Sequence, residues 1–510
     1  MAARLPRRGR DSLRARVSEP AEASTRAGSA APPDPRVGSG ISISSLWAFL
    51  AVALPTIAAL AARLRTSDLA YQIRAGEVMA RTHSILRTDT FSFTRAGRPW
   101  LNQQWGGELL FGIEFRAGGW LAMVVARAAL IGLVSFFVYR GCRARGAEAR
   151  PAAWLTLAAV IIATTAGGSF ALRPQLIAAA LFALTLFLIA DRQRHPARLW
   201  AIAVLVAAWS NVHGSFLLGP VLLGIAWVED RHEHRPQARR TLLIALVSLG
   251  ATLLNPFGIR VWSYAVDLST NPTLTKFISE WQPPTIRDSE GLAFFTSFVL
   301  VCAFVARRRR AIPWPTLLWL GSFFALGLLA ERTVVWWALT VPVVLARDLS
   351  GFGSRPDEPR SPVNLGIASA VLLLGVFFIV PWWGMSRTMP NERLVGDAPV
   401  GISSALARTL RPGDRIFATS WAAWFELVLP GNPVFVDSRI ELFPPSIWAQ
   451  YEEVRFRREG WQGVLDRWSV AAVVVAAEDP YLLPALRNDS GWRLAYDDSE
   501  GSVFVRTTGA

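Results

Sequence analysis

Long apolar runs alternate along this chain with short arginine-rich segments. The runs lie at 45–64, 119–139, 151–169, 174–190, 199–211, 214–228, 241–254, 291–306, 313–330, 333–346 and 363–381. A bilayer core of about 30 Å takes roughly 20 helical residues, fewer where a bundle shelters the helix ends. Most of the runs meet that length. The pair 199–211 and 214–228 does not, each reaching about two-thirds of the way across. The strongly basic segments are "RGCRARGAEAR" (140–150), "DRQRHPAR" (191–198), "DRHEHRPQARR" (230–240) and "RRRR" (307–310). All four face the cytoplasm only if 199–228 enters and leaves on one side, as two short helices meeting at "SNVHGS". The pattern therefore predicts a mainly α membrane protein of about eleven transmembrane or partly spanning helices. It places the N-terminus inside and the C-terminus outside.

Outside the runs the period changes. "RIFAT", "NPVFVDSRI", "VAAVVVAA" and "GSVFVRT" read as strands, and amphipathic stretches at 421–429, 447–467 and 481–488 lie between them. Strand and helix in alternation predict a small C-terminal extracytoplasmic α/β domain over 382–510. Residues 1–44 are rich in Arg, Pro, Ala, Ser and Gly without apolar periodicity, and read as a disordered basic cytoplasmic tail. The first run is too long for a signal core and no small-residue cleavage site follows it. The polytopic domain then covers 45–381, with outer loops at 65–118 and 255–290.

Composition agrees with this partition. Of 510 residues 52% are hydrophobic and only 18% charged, against about a quarter charged in soluble proteins. The net charge of +15 raises the question of nucleic acid, but the arginines gather in loops between apolar runs, so no nucleic-acid partner is expected. Lys276 is the only lysine. Two cysteines, Cys142 and Cys302, are too few for a disulfide framework or a zinc cluster, and both read as fillers.

The candidate chemistry sits in the outer loops. Asp68 opens the first of them, in "RTSDLAYQIRAG". It reads as the cap of the following helix, or as a carboxylate at the bilayer boundary that accepts a proton from a hydroxyl. A cap is held rigidly, so the two readings are compatible. Asp89, in "ILRTDTFSFT", is a turn hydrogen-bonder, a support for Asp68 or a cation ligand; a divalent cation stays open and no metal centre is assigned. "RPWLNQQWGGELLFGIEF" (98–115) reads as an interfacial helix whose Trp100, Gln104 and Trp105 are candidates to line a sugar site. Arg173 in "LRPQ" and Arg332 in "AERTVVWW" run against the positive-inside bias, and are either snorkelling anchors or phosphate-gripping guanidinium forks. Arg127 lies inside the second span, where its charge calls for a partner in the bundle, a carboxylate for instance. His213 stands where the two short helices meet, as a structural histidine or a phosphate donor. "HEH" (232–234) reads as a solvated part of a charged loop, and "NDS" (488–490) fits a glycosylation pattern that alone means little. No Gly-rich phosphate loop, HExxH or nucleophile elbow occurs.

A tail, one span and an outer loop opening on Asp resembles the GT-C membrane glycosyltransferases, which include the polyprenyl-phosphate-sugar-dependent mannosyl and aminoarabinose transferases. More closely, the chain is similar to a broad set of bacterial multi-span proteins related to that superfamily. The stretches carrying the resemblance are "SDLAYQIRAGEVMARTHSILRTDTFSFTRAGRPWLNQQW", "LRPQL", "WSNVHGSFLLG", "LLNPFGIRVW", "ISEWQPP" and "PVFVDSRIELF". Many relatives carry an acidic pair where this chain has Asp68 and Leu69, and close ones place aromatics and a histidine where it has "LAYQ". The oligosaccharyltransferase signature Trp-Trp-Asp-Tyr-Gly is absent. The resemblance implies a GT-C-like bundle in the cell membrane. It also implies a polyprenyl-phosphate-linked sugar donor drawn from the lipid and an extracytoplasmic acceptor. Asp68 is then the general base, and Arg173, His213 or Arg332 stabilises the departing phosphate. The alternatives are a non-catalytic membrane protein of glycan or cell-envelope assembly on the same scaffold, or a transporter. A transporter calls for an internal repeat, and none is visible.

Overall fold

The computed structural model describes residues 40–165, 168, 170–270, 278–308, 312–349 and 360–507. Most of the tail assigned to 1–44, part of "RRRR" and part of the loop 255–290 lie outside the described residues.

Each of the eleven apolar runs is helical over most of its described residues. The first helix, Ile43–Ala61, is opened by Ser42, whose hydroxyl accepts the Ser45 N–H at 3.1 Å. It is two residues longer at its start than the run suggests. Among the described residues four helices are long and apolar enough to cross a membrane alone, namely Ile43–Ala61, Trp105–Ala144, Ser289–Ala306 and Pro362–Trp382. The rest are shorter and gain shelter from their neighbours: Ala149–Thr165, Pro174–Ala190, Ala201–Trp209, Leu218–His232, Ala238–Ala251, Trp314–Gly327 and Val334–Leu345.

Arg127 shows how the bundle handles a charge within a span. Its guanidinium donates to the carbonyls of Arg63 at 2.7 Å and Ala62 at 2.6 Å, and also to that of Ala59. The expected carboxylate is replaced by the negative, unpaired C-terminal end of the first helix, which needs donors of its own.

Ion pairs tie the basic loops together at one end of the bundle. Arg145 forks onto Glu229 at 2.6 and 3.1 Å, Arg192 meets Asp230 at 3.0 Å, and Arg347 meets Glu233 at 2.7 Å. Arg308 pairs with Asp348 beside them. Helices Ala201–Trp209 and Leu218–His232 therefore leave from this end and return to it.

At the other end the loops and the C-terminal region interlock. Leu64–Arg65 pairs in parallel with Val395–Gly396, and Ser92 bridges Val434. Tyr264 donates to Glu441 at 3.1 Å. Helix Leu69–Thr82 crosses the first limb of Trp105–Ala144, which breaks at Gly119 (φ 58°) before entering the span. At the crossing, a Cβ on Gly76 would lie 1.9 Å from the Glu108 carbonyl oxygen, so the backbones touch directly.

The C-terminal sheet has four strands, Arg415–Ala418, Val470–Ala476, Trp492–Asp497 and Gly501–Arg506. In spatial order they run first, second, fourth, third, with the first pair parallel and the others antiparallel. "NPVFVDSRI", expected as a strand, makes only single bridges through Val434, to Ile416 and Ser92. It then turns away to serve a buried ion network. Strand Trp492–Asp497 was not expected: at the edge of the sheet, Arg493 and Leu494 are both exposed on opposite faces, so polar and apolar positions do not alternate cleanly.

Candidate functional site

A cavity of about 620 Å³ lies between the bundle and the C-terminal region. Five segments deliver its charged wall, carrying Asp68, Arg173, Glu280, Arg332, and Arg439 with Glu441. Thr66, fully buried, bonds the carbonyls of Gly396 at 3.0 Å and Asp397 at 2.8 Å, which fixes the chain just before Asp68. Asp68 holds the N-cap position of Leu69–Thr82, but its side chain makes no capping bond. Its carboxylate instead meets Arg173 Nε at 2.9 Å. Arg173 is the extended residue before Pro174, where proline starts the helix without needing a donor partner. Its Nη1 reaches Glu280 at 2.7 Å, so one guanidinium holds two carboxylates.

Arg332 comes from the turn Glu331–Thr333. Its Nη2 donates to Gln175 Oε1 at 2.8 Å, and the guanidinium stacks 4.6 Å over the Trp281 ring. His213 comes from the turn between the short helices. Its Nδ1 accepts the Ser215 backbone N–H at 3.2 Å, so the neutral ring carries its proton on Nε2. Burial and then Arg332 hold this imidazole down to about 3, neutral at physiological pH. Gln104 lines the cavity as well.

Burial alone lowers the Arg173 guanidinium, yet Asp68 and Glu280 more than reverse this and hold it above its ordinary value. Arg332 is lowered, by burial first and then by Arg173. The carboxyl of Glu441 is pushed up by burial. The wall thus offers cations and neutral donors to an anion, beside carboxylates that accept protons.

Asp68, Arg173, His213, Arg332 and Gln104 are therefore brought together. Three expected residues are not. Asp89, 1% exposed, accepts the Ser92 hydroxyl at 2.6 Å, the Ser92 N–H at 3.1 Å and Arg439 Nη2 at 2.7 Å. It lies behind the wall, and its oxygens are taken by protein donors. Trp100 packs 4.5 Å beneath that same Arg439. Trp105 donates to Asn211 Oδ1 at 3.0 Å, pinning the turn that carries His213. Among the described residues no three His, Cys, Asp or Glu side chains are grouped to hold a metal ion.

Glu280, Tyr71, Tyr264, Arg439 and Glu441 also line the cavity and were not singled out as site residues. Glu280 and Glu441 lie within "ISEWQPP" and "PVFVDSRIELF", two of the stretches that carry the family resemblance. Their place in those stretches was the available signal; local periodicity gave none.

No known family profile matches the chain, and no curated protein does. Solved structures do match in fold. The archaeal oligosaccharyltransferase AglB from Archaeoglobus fulgidus, in complex with an inhibitory peptide and a dolichol-phosphate, superposes with a TM-score of 0.54 at 13% identity. The match covers 91% of this chain and 74% of AglB. Arabinofuranosyltransferase AftD from Mycobacteria gives 0.52 at 13% identity, over 92% of this chain and 40% of its own. The architecture is thus one this chain shares with that oligosaccharyltransferase and that arabinofuranosyltransferase. At this identity the likeness is one of fold.

Proposed function

We propose that the protein is an integral-membrane glycosyltransferase that moves a sugar from a polyprenyl-phosphate donor to an extracytoplasmic acceptor. The membrane domain spans 45–381. The cavity and the α/β domain of 382–510 face outward, and the basic loops face the cytoplasm. The observation that carries this reading is the convergence of Asp68, Arg173, His213 and Arg332, from four distant segments, on one cavity at the end of the bundle.

The donor phosphate binds between Arg173 and Arg332, with the Nε2–H of His213 as a further donor. Its arrival competes for the guanidinium that Asp68 holds and releases the carboxylate to act as base. The acceptor oxygen then bonds to the anomeric carbon as the bond from that carbon to the phosphate oxygen breaks. Its proton passes to Asp68, and the lipid phosphate leaves as an anion among the arginines. A non-catalytic scaffold predicts Asp68 occluded by lipid or paired away from the basic residues, with no cavity joining it to them. The open cavity beside the Asp68–Arg173 pair favours the enzyme.

The test is transfer from labelled polyprenyl-phosphate sugars by protein in lipid nanodiscs. Asp68→Asn is expected to lower the turnover about 100-fold or more while donor binding persists. An Asp68→Asn protein that transfers sugar at the normal rate would remove the base assignment.

A further inference from the structure

A second cavity, of about 330 Å³, adjoins the first and shares Ser438 in its wall. It opens at the carboxyl ends of two parallel strips, strand Arg415–Ala418 and the stretch that bridges Ile416 through Val434. In open α/β sheets such ends are where ligands bind. Ser420 and Trp421 follow the first strip, Asp437 and Ser438 the second, and Ser67 and Asp397 close the far side.

Two of these residues have a left-handed backbone. Trp421 has φ 64°, and Asp397, on the opposite wall, has φ 60°. For a bulky side chain such as Trp this conformation is strained, and it persists only where the surroundings enforce it. Half-buried Trp421 lines the cavity, and so does the exposed Asp397, to which the Ser67 hydroxyl donates at 3.1 Å. The charge of Asp437 is already taken up by Arg439 at 3.0 Å. One exposed carboxylate that a hydroxyl rather than a cation meets, several hydroxyls and an aromatic side chain suit a neutral ligand rich in hydroxyls, whose C–H face stacks on the ring.

We propose that this cavity binds a neutral glycan, which serves as the acceptor. The acceptor role rests on the transferase reading; the binding does not. Residues 67 and 68 are adjacent in the chain and line the second and first cavities, so a glycan held here presents its end to Asp68.

The experiment titrates full-length protein in nanodiscs with linear tetrasaccharides of glucose, galactose or mannose, and separately with uncharged tetrapeptides, following tryptophan fluorescence and heat. At least one tetrasaccharide is expected to bind saturably to the wild type and equally to Asp68→Asn. Trp421→Ala and Asp397→Gly are expected to bind it about tenfold or more weakly. Glycine suits φ 60°, so Asp397→Gly keeps the test alive if Trp421→Ala misfolds. Absence of tetrasaccharide binding, preference for the peptides, or unchanged affinity in a folded variant would overturn the proposal. Asp68→Asn separates the two readings, because it removes transfer and leaves glycan binding intact.

Discussion

Arg439 is 2% exposed and lies between Asp89 at 2.7 Å and Asp437 at 3.0 Å. Its Nη1 has no hydrogen-bond partner and the residue lines the main cavity, so it joins the first loop to the C-terminal region while facing the site. Glu426 completes this cluster. Neither of its oxygens receives a bond from a donor, and Asp437 is within reach, which is the arrangement of a protonated carboxyl donating to a carboxylate. Burial first, and then Asp437, push the Glu426 carboxyl well above its ordinary 4.5. The folded protein therefore holds this proton after the unfolded chain has lost it. The stabilising contribution is complete below pH 4.5 and declines as pH rises toward the folded-state value. Glu426→Gln removes that dependence. Thermal unfolding from pH 4 to 8 is expected to show the wild type losing stability relative to Glu426→Gln as pH rises. Parallel curves would mean that Glu426 ionises normally.

At the scale of elements, the crossing of Leu69–Thr82 over the first limb of Trp105–Ala144 decides where Asp68 points. Gly76 and Gly112 face each other there, and a Cβ on Gly112 would lie 2.3 Å from the Gly76 carbonyl carbon. Neither neighbour is a flexible side chain, so the helices must part. Gly76→Ala is expected to cost about 3 kcal/mol, the upper part of the usual range for overpacking. It should also reduce transfer by displacing Asp68. The check is a melting curve in detergent beside the transfer assay; a wild-type melting point would show that the crossing yields. None of this was legible from periodicity, which reads a helix's faces and not the distance to its neighbour. The spans were legible, because each apolar run is long relative to its boundaries. "NPVFVDSRI" misled because its alternation serves two single bridges and the Arg439 network instead of a ladder. Strand Trp492–Asp497 was hidden for the converse reason, as an outer strand with exposed residues on both faces.

At the scale of the whole molecule, the cavity gathers residues 68, 173, 213, 280, 332 and 439, and no local pattern encodes that meeting. What pointed to Arg173 and Arg332 was their place on the sparsely basic side of the topology. The same asymmetry predicts orientation. Arg145, Arg192, Arg235, Arg308 and Arg347 share one end of the bundle in ion pairs with Glu229, Glu233, Asp230 and Asp348, while the cavity opens at the other. Short basic loops stay on the cytoplasmic side during insertion, so the proposed orientation has the cavity and the sheet facing outward. With Cys142 and Cys302 replaced, a cysteine at exposed Ser490 is expected to react with a membrane-impermeant maleimide in intact cells. One at exposed Arg194 should react only after permeabilisation. The reverse pattern would place Asp68 on the cytoplasmic side, where an acceptor outside the cell has no access to it, and the outward-facing transferase would have to be abandoned even with the fold and the cavity unchanged.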